Sequence, residues 1–250
     1  MNSAKKHYSG WSLLREGIGG QTGWSKAWQD RDPAPRYDVV IIGGGGHGLA
    51  TAYYLACTHG ITRVAVIEKG WIGGGNTGRN TTIIRSNYFY PESAALYDLS
   101  VSLYEGLSRE LNYNIMFSQR GMIELAHSEA DLEFMHRGAN AMRVNGIDID
   151  ILGRDEIFRL APLLNQDLNV RWPVLGGAIQ RRAGVARHDA VAWGYARAAD
   201  SRGVHIIQNC EVTGFDIKAG RIVAVQTSRG RIAADRFGMA VAGHSSVLAG

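Results

Sequence analysis

Between Asp38 and Glu68 the chain runs through an apolar stretch, a glycine turn, a helix and a second apolar stretch ending in an acid. Nothing else in the sequence restricts the fold as strongly. Asp38-Val39-Val40-Ile41-Ile42 reads as a buried strand, and Leu49 to Thr58 as the helix that follows it. Gly43, Gly45 and Gly48 fit G-x-G-x-x-G, with Gly46 and His47 inside the turn. The first glycine permits the tight turn, the second lets backbone approach a pyrophosphate, and the third lets helix pack closely on strand. A helix N-terminus adds free N–H groups and partial positive charge. Glu68 follows Gly48 by 20 residues, the spacing of an acid that holds a ribose hydroxyl. Its charge disfavours a 2′-phosphate. Glycines alone also make plain strand-to-helix turns; the complete strand, helix, strand and acid context points to a dinucleotide.

With 250 residues the chain can bury a substantial core as one large or two smaller domains. A net charge of +4 gives no reason to expect nucleic acid. No apolar run is long enough for a membrane span, and residues 1–35 lack the apolar core of a secretory signal. Cys57 and Cys210 make no disulfide framework; both read as small buried apolar residues, in keeping with a reducing, cytoplasmic compartment. The N-terminal extension, residues 1–36, sets Lys5, Lys6, Trp11, Trp24 and Trp28 among polar residues. It is either an arm that docks on a surface or a loose tail.

Beyond Glu68, the stretch Lys69 to Thr82 is too rich in glycine for helix or strand and suits a polyanionic cofactor. Arg85 stands among aliphatic and aromatic neighbours, as either a structural ion pair or a fork for a substrate carboxylate. Pro91 to Leu111 reads as a helix with a buried stripe at Ala95, Leu99, Leu103, Leu107 and Leu111. Phe117 to Leu125 reads as a bent strand, Glu129 to Val144 as a helix closed by Asn145-Gly146, and Asp155 to Leu160 as a short helix. A helix from His188 and strands at Val204–Gln208, Glu211–Ile217, Arg221–Thr227, near Ile232 and at Phe237–Val241 complete the pattern. The expected fold is α/β: a Rossmann-like FAD-binding domain from residues 37–117 and 178–250, interrupted by an α+β substrate-domain segment, residues 118–177.

Several stretches resemble the beta subunits of heterotetrameric sarcosine oxidase, within the D-amino-acid oxidase and glycine oxidase superfamily. They are Val39–Gly48, Glu68-Lys69-Gly70-Trp71, Asn80 to Tyr88, Phe117 to Gly121, Arg187-His188-Asp189, Gln208 to Phe215 and Ala242 to Ser246. The resemblance implies a subunit that carries non-covalent FAD, and FMN covalently bound through a histidine. It implies alpha, gamma and delta partners, with NAD on alpha. The activity implied is oxidation of sarcosine to glycine, with the one-carbon unit passed to tetrahydrofolate and oxygen reduced to hydrogen peroxide.

By that resemblance Gly43, Gly45, Gly48, Glu68 and Lys69 contact the ADP half of FAD. Asn76, Arg79, Asn80 and Thr81 line the pyrophosphate. Val212 meets the adenine side, Gly243 lies near the cofactor, Arg85 pairs with the substrate carboxylate and His188 bonds FMN. On chemical grounds, Arg187 beside it is suited to hold phosphate or to offset flavin charge. Read from residues alone, His188 at a helix start is a solvated or capping residue, and His47 has no catalytic role. No metal ligand set stands out. The resemblance also implies truncation at the C-terminal end, before the sheet that walls the substrate. A dimethylglycine or proline dehydrogenase-like subunit, or a non-catalytic FAD-binding scaffold, are the alternatives.

Overall fold

A computed structural model of the protein describes residues 9–20, 22 and 26–249; Lys5, Lys6 and Trp24 lie outside the described residues. Helix α1 (Gly10–Ile18) precedes the strand–helix–strand unit β1 (Arg36–Ile42), α2 (Gly46–His59) and β2 (Val64–Ile67). Then come the short β3 (Ile83–Ile84), the long α3 (Pro91–Glu110), β4 (Met122–Ala126), α4 (Glu129–Val144), β5 (Asp150–Gly153) and α5 (Arg154–Leu160). The chain returns through β6 (Gly176–Gln180), β7 (Gly184–Val185), α6 (His188–Asp200) and β8 (His205–Ile207). It ends in β9 (Val212–Lys218), β10 (Arg221–Thr227), β11 (Gly230–Met239) and the short α7 (Ser245–Ala249).

Six strands form the main sheet in the order β8-β2-β1-β11-β10-β9. The first four are parallel, and β9 to β11 are an antiparallel meander. Parallel strands are buried on both faces, which is why β1 and β2 are continuously apolar. Val39, Ile41, Val64 and Val66 face α2 and α6, where Leu49, Tyr53, Val191 and Ala196 meet them. Val40, Ile42, Ala65 and Ile67 face the opposite layer with Ile207, Val225 and Ile232.

The expected strands near Ile232 and at Phe237–Val241 are one strand. Residues 230–233 of β11 pair with β10, and from Ala233 onward the strand pairs with β1. Asp235 and Arg236, which suggest a break, are exposed positions of a continuing strand, with Arg36 bonded to Asp235.

A second sheet, β4-β6-β5, carries the interrupting segment. Ala178 packs with α3 and α4 on one side; Ile179 packs with α5 on the other. Helix α3 is where expected, but its stripe is only partly so: Leu107 and Leu111 are buried. Ala94, Val101 and Leu107 are its buried residues, while Ala95, Leu99 and Leu103 are exposed. Spacing at i+4 alone drifts around a helix of 3.6 residues per turn, so an unbroken i+4 row leaves the buried face. Cys210 is buried as expected; Cys57 is exposed, on the outer side of α2.

Part of the N-terminal arm docks on its own chain. Asp30 bridges to Ile206 at the sheet edge, Gln29 N–H donates to Asp200, and Trp28 packs against the core. Trp11, Leu13, Leu14 and Ile18 of α1 remain exposed. Among the described residues no helix is long and apolar enough to cross a membrane.

Candidate functional site

The glycine turn between β1 and α2 is held by contacts that side chains would forbid. A Cβ on Gly48 would stand 2.0 Å from the Gly43 carbonyl oxygen, so strand and helix meet backbone to backbone. Gly43 has φ +109, and a Cβ there would stand 2.5 Å from the Ala240 oxygen. The chain just after β11 therefore abuts the turn through Ala240 and Val241; Gly243, further on, is exposed with open space around it. Gly45 is the N-cap of α2 and has no side chain to close the helix end. The N–H groups of the first turn beyond it are the donors a phosphate takes up.

Glu68 faces this turn. Its Oε2 accepts the Gly44 N–H at 2.8 Å and its Oε1 the Gly70 N–H at 2.9 Å. The carboxylate is thus fixed beside the turn while remaining partly exposed. Lys69 is exposed next to it. The loop after Gly70 folds back, with Gly73 N–H donating to the Gly44 oxygen at 3.0 Å. Asn76 and Arg79 form an exposed 3-10 turn in that loop. Thr77, between them, carries no expectation from the sequence, yet its Oγ1 accepts the Gly46 N–H at 3.0 Å. A small hydroxyl in a glycine-rich loop beside the dinucleotide turn was the available signal.

A cavity of about 290 Å³ opens beyond the turn. Helices α2 and α6 line it with the same spacing: His47, Ala50 and Tyr54 from one, His188, Val191 and Tyr195 from the other. Residues at i, i+3 and i+7 share one face of a helix, which makes this pairing legible once the helices are known to cross. Asn80, Thr82, Ser100 and Tyr104 are among the other residues of the wall. Burial raises the phenols of Tyr54, Tyr104 and Tyr195, so they remain donors. Tyr195, read from sequence as core, has this second role.

His188 starts α6, and its Nδ1 is buried with no hydrogen-bond partner. The residue as a whole is half-buried, and the N-cap of α6 is Arg187, so His188 is not the capping residue. An orphaned buried nitrogen in a cavity wall is a group waiting for a partner. Arg187, exposed, forks its guanidinium onto Asp189 at 3.2 and 2.9 Å through Nε and Nη2. Thr82 has φ +63, uncommon for a β-branched residue. Asn80 Oδ1 accepts its N–H at 2.7 Å, and its oxygen accepts the Ala186 N–H. Thr81 beside it is exposed.

Arg85 follows β3 and lies outside the residues lining the cavity. It donates to Asn87 Oδ1 at 2.7 Å and stacks over the Tyr88 ring at 4.5 Å. Val212 is buried in the layer shared with Ile67 and Cys210. Among the described residues no group of His, Cys, Asp and Glu could hold a metal ion.

The family described as FAD dependent oxidoreductase matches residues 38–250. A protein of Rhizobium meliloti named "Sarcosine oxidase subunit beta" is 55% identical over 242 residues, which are 97% of this chain and 58% of that protein. Its namesake in Rhodobacter capsulatus is 53% identical over 98% of this chain and 59% of its own length. Among solved structures, the L-proline dehydrogenase from P. horikoshii matches with a TM-score of 0.79 at 26% identity, covering 86% of this chain and 55% of that one. The chain thus spans just under three-fifths of these two curated relatives. The glycine turn, the start of α2 behind the side-chain-free Gly45 and the fixed carboxylate of Glu68 fit the ADP half of FAD.

Proposed function

The chain belongs to the family of FAD dependent oxidoreductases, and on that basis we propose that it is the beta-type subunit of a sarcosine oxidase. The reading rests on one observation above the others: 55% identity to a sarcosine oxidase beta subunit along nearly the whole chain. The proposed reaction oxidises sarcosine to glycine, passes the one-carbon unit to tetrahydrofolate and reduces oxygen to hydrogen peroxide. The proposed partners are alpha, gamma and delta subunits, in the cytoplasm. The division into an extension (1–36), a discontinuous FAD-binding domain (37–117 and 178–250) and the first part of a substrate domain (118–177) belongs to the same proposal.

When bound, FAD supplies the acceptor for the hydride equivalent that leaves the substrate. The chain's own contribution is binding and orientation. Gly43, Gly45, Gly46 and Gly48 give backbone access to the pyrophosphate, with His47 at the mouth. Glu68 and Lys69 take the ribose side, and Asn76, Arg79, Asn80 and Thr81 border the phosphates. Val212 and Gly243 flank the nucleotide from the ends of their strands. Arg85 pairs with the substrate carboxylate. His188 carries FMN covalently; its partnerless Nδ1 in the cavity wall supports that assignment.

The test is a visible spectrum of the full-length assembled protein before and after acid precipitation. Flavin retained in the pellet, lost in His188→Ala, upholds covalent FMN at His188; complete release refutes it. Turnover of sarcosine upholds the activity. A proline or dimethylglycine dehydrogenase-like subunit is the second reading, favoured by the backbone likeness to L-proline dehydrogenase. Turnover of those amines without sarcosine turnover would select it.

A further inference from the structure

Beside Arg85 the chain buries three polar residues, Ser86, Asn87 and Gln180. Buried polar groups are costly unless bonded, and these are bonded in a directed way. Gln180 Oε1 accepts the Ser86 N–H at 2.9 Å, while its Nε2 donates to Ser86 Oγ at 2.6 Å and to Asp148 at 3.1 Å. Asn87 Nδ2 donates to Glu124 Oε1 at 2.7 Å, and Asn87 Oδ1 accepts from Arg85 at 2.7 Å. Glu124 and Gln180 lie on the paired strands β4 and β6. Ala178 stands opposite Glu124 and shares the face of Gln180, so both project from one side of the second sheet.

The chemistry leaves Asn87 one orientation. An amide has a donor end and an acceptor end. Glu124 as a carboxylate only accepts, and the Arg85 guanidinium only donates. The NH2 must therefore turn to Glu124 and the oxygen to Arg85. Tyr88, itself stacked on Tyr97 at 4.1 Å, covers the guanidinium from another side. The acceptor given to Arg85 is neutral, and among the described residues no carboxylate stands within ion-pair distance of it. The residue is thus aimed by a hydrogen bond without having its charge cancelled.

We propose that Asn87 and Glu124 are positioning residues for Arg85: Glu124 fixes the amide of Asn87, and Asn87 aims an uncompensated guanidinium at a carboxylate ligand. This rests on the reading of Arg85 as the carboxylate-binding residue. The second sheet then sets the affinity for carboxylate from outside the cofactor-binding residues. Asparagine at this position is chemically selective, because aspartate would pair with Arg85 as an ion pair that neutralises it and would have no N–H to give Glu124.

The experiment uses the full-length, flavin-loaded assembly. Butyrate, which replaces the sarcosine nitrogen by carbon, is titrated against the flavin absorbance, and KM and kcat for sarcosine are measured alongside. Asn87→Asp and Glu124→Leu should each raise the butyrate Kd and the sarcosine KM by roughly ten- to a hundredfold, the worth of a hydrogen bond to a charged group, with kcat far less affected. Glu124→Gln, which keeps an acceptor, should recover most of the affinity lost in Glu124→Leu. A purely structural role would lower flavin content and kcat together and give no such recovery. If Arg85→Gln leaves the butyrate Kd unchanged, Arg85 does not bind the carboxylate and the proposal falls with that reading. If Arg85→Gln weakens binding while Asn87→Asp and Glu124→Leu do not, the positioning role alone is refuted.

Discussion

The glycine turn and the Arg85 segment are built by opposite means. The turn is made of backbone. Gly48 lies against Gly43 within ten residues of β1, and a single added methyl group has nowhere to go. The Arg85 segment is made of side chains brought from far away: Glu124 from β4 and Gln180 from β6. A backbone site tolerates no substitution at its contacts and asks little of the rest of the chain. A side-chain site depends on the whole second sheet and can be tuned one bond at a time.

The sharpest way to break this contrast is Gly48→Ala. A Cβ 2.0 Å from a backbone oxygen cannot be relieved by a rotamer, and overpacking of this kind is expected to cost more than about 3 kcal/mol. Thermal unfolding and bound FAD should both report it; a folded, FAD-loaded variant would show that the close approach is dispensable. Next comes Gln180→Met, which keeps the volume and leaves the Ser86 N–H without its acceptor. Unfolding free energy should fall by about 2 kcal/mol, while FAD content in the surviving folded protein stays unchanged. Loss of FAD in proportion would mean the two regions are not separable. Thr77→Val tests a side chain that supports the turn beside Glu68. Removing the acceptor of the Gly46 N–H should cost about 1 kcal/mol, read by denaturant unfolding; no change would show that the turn does not depend on this hydroxyl.

The smallest effect lies in a third place, where the N-terminal arm crosses the sheet edge. His205 Nδ1 lies 2.9 Å from the Tyr37 hydroxyl and its Nε2 lies 3.5 Å from Arg31. Burial, then the nearby Arg31 charge, hold its pKa below the ordinary value, partly opposed by Asp200. The folded protein therefore keeps His205 neutral while the unfolded chain takes up a proton near pH 6.5. The stability this neutral form contributes is fully present above about pH 6.5 and is lost as pH falls from there toward the lowered folded value. His205→Asn should flatten the dependence of melting temperature on pH in that window; an unaltered slope would assign it to other groups.

How much of this was legible follows the same division. Val39 to Gly48 and Glu68 could be placed from sequence because strand, turn and helix are local, and glycine is demanded where backbone meets backbone. The hairpin at Lys218-Ala219-Gly220 was legible for the same reason, with Ala219 and Gly220 both at positive φ between β9 and β10. The α3 stripe was legible only at its C-terminal end, Leu107 and Leu111: which residues of a helix are buried depends on what crosses it, and Leu99 stays exposed while Leu103 borders the cavity. The fork of Arg187 onto Asp189 was not legible from a helix start alone. Thr77 and the tyrosines around His188 carried signals too weak to single out before the helices were paired.

Sequence alone determined the strand–turn–helix with its acid, because those contacts join residues close in the chain and each admits few residue types. Tertiary structure decided what Arg85 is bonded to, that His188 lines a cavity, and that β11 is one strand. Those outcomes rest on contacts between distant segments. A long-range contact is fixed by the packing of whole elements, and no run of neighbouring residues encodes it.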